Sequence, residues 1–190
     1  MAGWPDPVNN ELRREKMKKK LLMILIVGFT PRIVYSTEIL TFKTPKEIIQ
    51  AAKSRGASQV VAELFKTGVW AKYVYPGISS GEKQWLEAAV ILKPGTDAGA
   101  SEEMNDALSL ALLKRPDLAL PIMKKIWWKD SEACYFGWDS EFPDDMTVRT
   151  YVNRLEKAVK KSSNKETAEL RKSCLRGIAQ TRKELDENKQ

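Results

Sequence analysis

The 190-residue sequence predicts an all-α fold, an irregular helical bundle or a short array of helical hairpins, closed by one disulfide. Three observations carry that expectation. Apolar residues recur at helical spacing through nearly all of the chain beyond residue 44, and Gly, Pro and capping side chains punctuate the segments. No β-branched alternation bounded by hairpin turns competes; only "STEILTFK" offers a short extended arm. No repeat of fixed period is present.

Taken in order, "TPKEIIQAAKSRG" has Thr44 to cap, Pro45 at a first helical position and Gly56 to close. "ASQVVAELFKTG" sets Val60, Val61, Leu64 and Phe65 on one side and ends at Gly68. "SSGEKQWLEAAVILKPG" places Trp85, Ala88, Ala89 and Leu92 on one face before Pro94-Gly95 breaks it. "SEEMNDALSLALLKRP" opens on Ser101 as the expected cap and carries Met104, Ala107, Leu108, Ala111 and Leu112. Pro116 starts the next helix, in which Pro121 removes a backbone donor. "DDMTVRTYVNRLEKAVKK" has Val148, Tyr151, Val152, Leu155 and Val159 as its stripe, with Asp144 or Asp145 expected to cap it. A last helix over about 165–187 carries Leu170, Cys174, Ile178 and Leu185.

Ahead of these helices stands "MKKKLLMILIVGFTPRIVYSTE", which has the order of a cleavable export signal. Lys18, Lys19 and Lys20 precede the apolar run Leu21 to Phe29, about half of the roughly 20 residues a spanning helix needs. Val34 and Ser36 then place small residues three and one before a cut between Ser36 and Thr37. An uncleaved anchor and a buried core helix are both opposed by this length and by the flanking charge. No Cys follows the run, so a lipid-anchored form is not indicated. The expected organisation is an upstream extension over 1–16, a signal over 17–36 and one helical domain over 37–190. That implies a periplasmic or secreted protein with no stable membrane anchor after cleavage.

Residues 1–36 hold seven Lys/Arg and three Asp/Glu, so their removal takes the net charge from +7 to +3. That is too little to argue for nucleic acid as a partner. The charge is segregated, however. Six acidic and no basic residues lie between Asp130 and Asp145, whereas Arg149 to Lys183 carries eleven basic against three acidic. The two cysteines, Cys134 and Cys174, are expected to pair in an oxidising compartment, tying the acidic loop to the last helix.

The inventory excludes several chemistries. With no histidine, the chain contains no Ser-His-Asp or Cys-His nucleophile system and no common zinc site. "KPGTDAGAS" lacks the phosphate-loop pattern and follows a helix, so it reads as a capped interhelical loop. In "DSEFPDD", Asp139 and Glu141 fit a calcium loop but Pro143 and the missing distal Glu do not. A glycosidase pair needs a carboxyl separation that spacing alone does not give. No cofactor is expected.

Aromatic density is the stronger signal. "KKIWWKDSEACYFGW" packs Trp127, Trp128, Tyr135, Phe136 and Trp138 beside the acidic run. Adjacent Trp residues on one helix cannot share one core face, so one of Trp127 and Trp128 lies nearer the surface, where aromatics favour interfaces. Trp70, Tyr73 and Tyr75 in "VWAKYVYPG" could extend that arrangement. The candidate partner-binding residues are Trp127, Trp128, Tyr135, Trp138, Asp139, Glu141, Asp144 and Asp145.

The stretch from "ISSGEKQWLEAAVILKPGTDAGASEEMNDALSLALLKRPDLAL" to "KSCLRGIAQ" resembles small exported α-helical bacterial proteins in which a GASE-type helix start, an AL…P junction and two later cysteines recur. In size, export and helical content the chain is also similar to periplasmic immunity proteins that neutralise cell-wall-degrading toxins. That likeness implies a non-enzymatic protein that binds another protein. An envelope scaffold or chaperone is the alternative expectation, and a hydrolase using Asp139, Glu141, Asp144 or Asp145 the weaker one.

Overall fold

Thr44 and Glu47 begin the fold with a reciprocal capping box. The Thr44 hydroxyl accepts from the Glu47 N–H at 3.3 Å, and the Glu47 carboxylate accepts from the N–H groups of Thr44 and Lys43 at 3.0 and 2.9 Å. Those donated bonds, that from Lys43 first, hold the Glu47 carboxyl below its ordinary range. The computed structural model describes residues 42–127, 133–137, 140–143 and 145–188, all within the unit Leu40–Gln190. The expected extension, signal and Ser36/Thr37 cut lie outside the described residues, as does nearly all of the "STEILTFK" arm.

Eight α-helices and no strand occur among the described residues. They are α1 (Pro45–Arg55), α2 (Ala57–Lys66), α3 (Tyr75–Ser80), α4 (Lys83–Leu92), α5 (Ala98–Lys114), α6 (Pro116–Ile126), α7 (Val148–Lys161) and α8 (Ala168–Glu187). Gly56, at φ 92°, closes α1 and opens α2 in a conformation that favours glycine. α1 packs on α2 and α4, α5 packs on α3, α6 and α7, and α7 pairs with α8.

The expected stripes form the core. Val60, Val61, Leu64, Trp85, Ala88, Ala89 and Leu92 are buried, as are Met104, Ala107, Leu108, Ala111 and Leu112 of α5 and Val148, Tyr151, Val152, Leu155 and Val159 of α7. Burial of such side chains stabilises by roughly 1.5–3 kcal/mol each for the larger aliphatics.

Four expectations change. Phe65 is 37% exposed and stacks on buried Trp70, with ring centroids 4.6 Å apart. Asp97, not Ser101, caps α5, because its carboxylate accepts from the Ala100 N–H at 2.9 Å; Ser101 falls one turn inside the helix. Thr147, not an aspartate, caps α7: its hydroxyl accepts from the Thr150 N–H at 3.2 Å, while Asp145 is exposed at φ 51°. The segment "VWAKYVYPG" forms a π-helical turn, Trp70–Val74, that runs into α3. Trp70 is thereby drawn into the core, so it extends no surface cluster.

Candidate functional site

A short strap, residues 133–137, lies along α8. Cys134 and Cys174 are joined by a disulfide with Cα atoms 4.6 Å apart. The Ala133 N–H donates to Ser173 Oγ at 3.3 Å. Further along, the Phe136 N–H donates to Thr181 Oγ1 at 3.0 Å, and that hydroxyl stands 3.0 Å from the Phe136 carbonyl and 3.1 Å from that of Gly177, either of which can accept its proton. Tyr135 donates its hydroxyl proton to the Glu184 carboxylate, whose oxygens lie at 2.9 and 3.0 Å.

This approach explains a glycine in the middle of α8. A Cβ at Gly177 would meet the Ala133 carbonyl oxygen and come within 2.8 Å of the Tyr135 nitrogen. Only a residue without a side chain lets the strap sit this close. Cys134, at φ 60°, holds the strap's turn in the left-handed region, a conformation costing a β-carbon residue of order 1–2 kcal/mol that the surrounding bonds must offset.

Beyond the strap, the chain returns over the end of α5 as an aromatic stack. Phe142 lies parallel to Tyr151 at 3.8 Å, and Phe136 meets both edge-on at 5.2 Å. Tyr151 is wholly buried and donates its hydroxyl to the Ser109 carbonyl at 3.0 Å; burial pushes its phenol far above the ordinary value.

Between this stack and α5 lies a cleft of about 480 Å³ whose walls include Trp127, Phe136 and Phe142 and whose rim carries Glu102, Asn105 and Glu141. The Lys93 ammonium stands 3.9 Å from the centre of the Trp127 ring and donates to Ser101 Oγ at 2.9 Å. Burial lowers the Lys93 pKa. The Trp127 indole N–H is buried and has no acceptor among the described residues.

The electrostatics of the cleft are acidic. The Asp106 carboxyl is raised above its ordinary value, first by burial and then by the negative charges of Glu102, Glu103 and Glu141. Glu141, from the acidic run, therefore joins the acidic residues Glu102, Glu103 and Asp106 of α5. No signal short of tertiary packing links them.

Of the sequence-based candidates, Trp127 and Glu141 line the cleft together. Tyr135 is tied to α8 and Asp145 is exposed, and neither lines it. Trp128, Trp138, Asp139 and Asp144 lie outside the described residues. Glu102, Asn105 and Phe142 complete the cleft, and Asp106 feels the charge of Glu102 and Glu141; none of the four was singled out by sequence. Among the described residues, no group of three or more His, Cys, Asp or Glu could hold a metal ion, and no helix is long and apolar enough to cross a membrane. The disulfide is compatible with an oxidising compartment. Comparison with protein-family models, with curated proteins and with solved structures finds no match to this chain.

Proposed function

We propose that this chain is an exported, non-enzymatic binding protein of the immunity or inhibitor type, and that its cleft receives a basic segment of a protein partner. The observation that carries the reading is the pair of carboxylates Glu102 and Glu141 on a cleft walled by Trp127, Phe136 and Phe142, with Asp106 near enough to both to feel their charge. An incoming Lys or Arg would offset the negative charges of Glu102 and Glu141, which add to burial in raising Asp106, and its stem would pack on the apolar walls beside them. The strap is already fixed by the disulfide and by α8, so it loses little further freedom on binding. The acidic rim would speed encounter with such a partner in a salt-dependent way.

The test is recovery of complexes from the exported fraction with the native chain and with Glu102→Gln plus Glu141→Gln, both exposed positions. One dominant partner, bound stoichiometrically and weakened about tenfold by the variant, is expected, since tenfold corresponds to about 1.4 kcal/mol. Many weakly held clients would indicate a chaperone instead, and carboxylate-dependent turnover a hydrolase. Mass spectrometry of the same material should find an N-terminus at Thr37; an intact Met17 would remove the export reading.

A further inference from the structure

On the other side of the Tyr151 contact, α5 and α7 enclose a second groove, of about 740 Å³, whose charge has the opposite sign. Its lining includes Lys114, Arg154, Lys157 and Lys161, opposed by one carboxylate, Asp117. The four cations are exposed, and none of them forms an ion pair among the described residues. Other cations of α7 are matched: Lys160 holds Glu156 at 2.8 Å and Arg149 holds Asp186 of α8 at 2.9 Å. The unmatched cations of α7 converge on the groove.

Complementing the helix dipole accounts for Lys114 and Lys161, which stand in the last turns of α5 and α7. It does not account for Arg154 and Lys157, which lie a turn or more inside α7. A further polar group waits there. Ser162 lines the groove, and its hydroxyl is buried without a hydrogen-bond partner among the described residues. Behind it, the Arg171 guanidinium of α8 is hydrogen-bonded to the Ser162 carbonyl, which fixes another cation close to the groove's end.

We infer that this groove binds a linear phosphate-bearing polymer. Arg154, Lys157 and Lys161 fall at i, i+3 and i+7 of α7, so at about 1.5 Å per residue they spread charge over about 10 Å in a line. A row suits repeated anionic groups; a lipid headgroup or free phosphate would use only part of it. The lysine ammoniums act as compact point charges with three rotatable donors each, and the Arg154 fork matches two oxygens of one phosphate, so both residue types in the row suit phosphate oxygens. The site is separate from the acidic cleft and stands whether or not a protein partner occupies that cleft.

The experiment is titration calorimetry of the full chain with tripolyphosphate at fixed ionic strength. Orthophosphate, poly-glutamate and phosphatidylglycerol vesicles are run beside it. Tripolyphosphate should bind more tightly than orthophosphate or poly-glutamate, and Lys157→Gln with Lys161→Gln should weaken it about tenfold while leaving the melting temperature unchanged. Arg149→Gln with Lys160→Gln removes the same charge from the matched positions and should have little effect. Equal loss in both double variants would mean diffuse attraction to a basic helix pair and overturn the site. Equal binding of orthophosphate or of poly-glutamate would overturn the linear phosphate assignment, as would binding to vesicles alone.

Discussion

Gly177→Ala separates two accounts of a helix glycine by the sign of its effect. If Gly177 were an ordinary residue of α8, alanine would stabilise the helix by about 1 kcal/mol. The new Cβ, however, meets backbone: the Ala133 carbonyl oxygen, the Tyr135 nitrogen at 2.8 Å and the Cys134 carbonyl carbon at 2.9 Å. Backbone cannot rotate away as a flexible side chain would. The strap is also anchored on both sides, by the disulfide at Cys174 and by Thr181 one turn further on. Relief therefore means lifting the strap, which strains the core by roughly 1–3 kcal/mol and leaves the Phe136 N–H short of a partner at roughly 1 kcal/mol, while the Thr181 hydroxyl keeps the Gly177 carbonyl. Less the propensity gain, the net loss is roughly 1–3 kcal/mol, a fall of roughly 2–12 °C in melting temperature for a domain of this size. Gly99→Ala is the control, since nothing lies within 4 Å of its Cβ position in α5, and it should raise stability by up to about 1 kcal/mol. Thermal unfolding by circular dichroism reads both. A Gly177→Ala protein that melts at or above the native temperature would refute the close approach of strap and helix.

Two further outcomes follow from the same region. Replacing Cys134 and Cys174 together by Ser opens a link spanning 40 residues and should cost roughly 2–4 kcal/mol, and a reductant should then lower the melting temperature of the native chain but not of the variant. Asp106→Asn should stabilise the fold near neutral pH, because the native carboxyl is raised by burial and by its acidic neighbours. A raised folded pKa means that the folded state holds its proton longer than the unfolded chain, so stability falls as pH rises from the ordinary carboxylate value, and the loss is complete above the folded value. The advantage of Asn should accordingly shrink as pH falls through that value towards the ordinary carboxylate range; melting curves across pH check it, and a constant gain would point to a cause other than charge.

The helices were legible in the sequence because their signals are local. Thr44, Pro45 and Gly56 bound α1 within a dozen residues, and the α7 stripe needs no knowledge of what it packs against. The helix pattern misleads where two local signals compete. Asp97 and Ser101 are both sound caps, and the first prevails because Gly99 does not stop the helix between them. In "YPG", which the sequence marks only by its aromatic neighbours, Pro76 sits in the first turn of α3, where no backbone donor is needed, and the Trp85 ring packs directly over Gly77. The cleft was half legible. Trp127 and Glu141 stand out by aromatic density and charge, but their association with Glu102 and Asp106 depends on how the chain returns across α5, which spacing does not encode.

The 40-residue span of the disulfide also orders events in time. Chains emerge from their N-terminal side, at about 5–20 residues per second during synthesis. Cys134 therefore waits about 2–8 s at that rate before Cys174 follows it, and longer until Thr181 and Glu184 are present to receive Phe136 and Tyr135. Helices α1 to α6 have their mutual contacts available throughout that interval. The wall of the cleft that Phe136 supplies is thus the last part of the molecule to be secured, and a chain interrupted before α8 would carry the acidic stripe of α5 without the strap that encloses it.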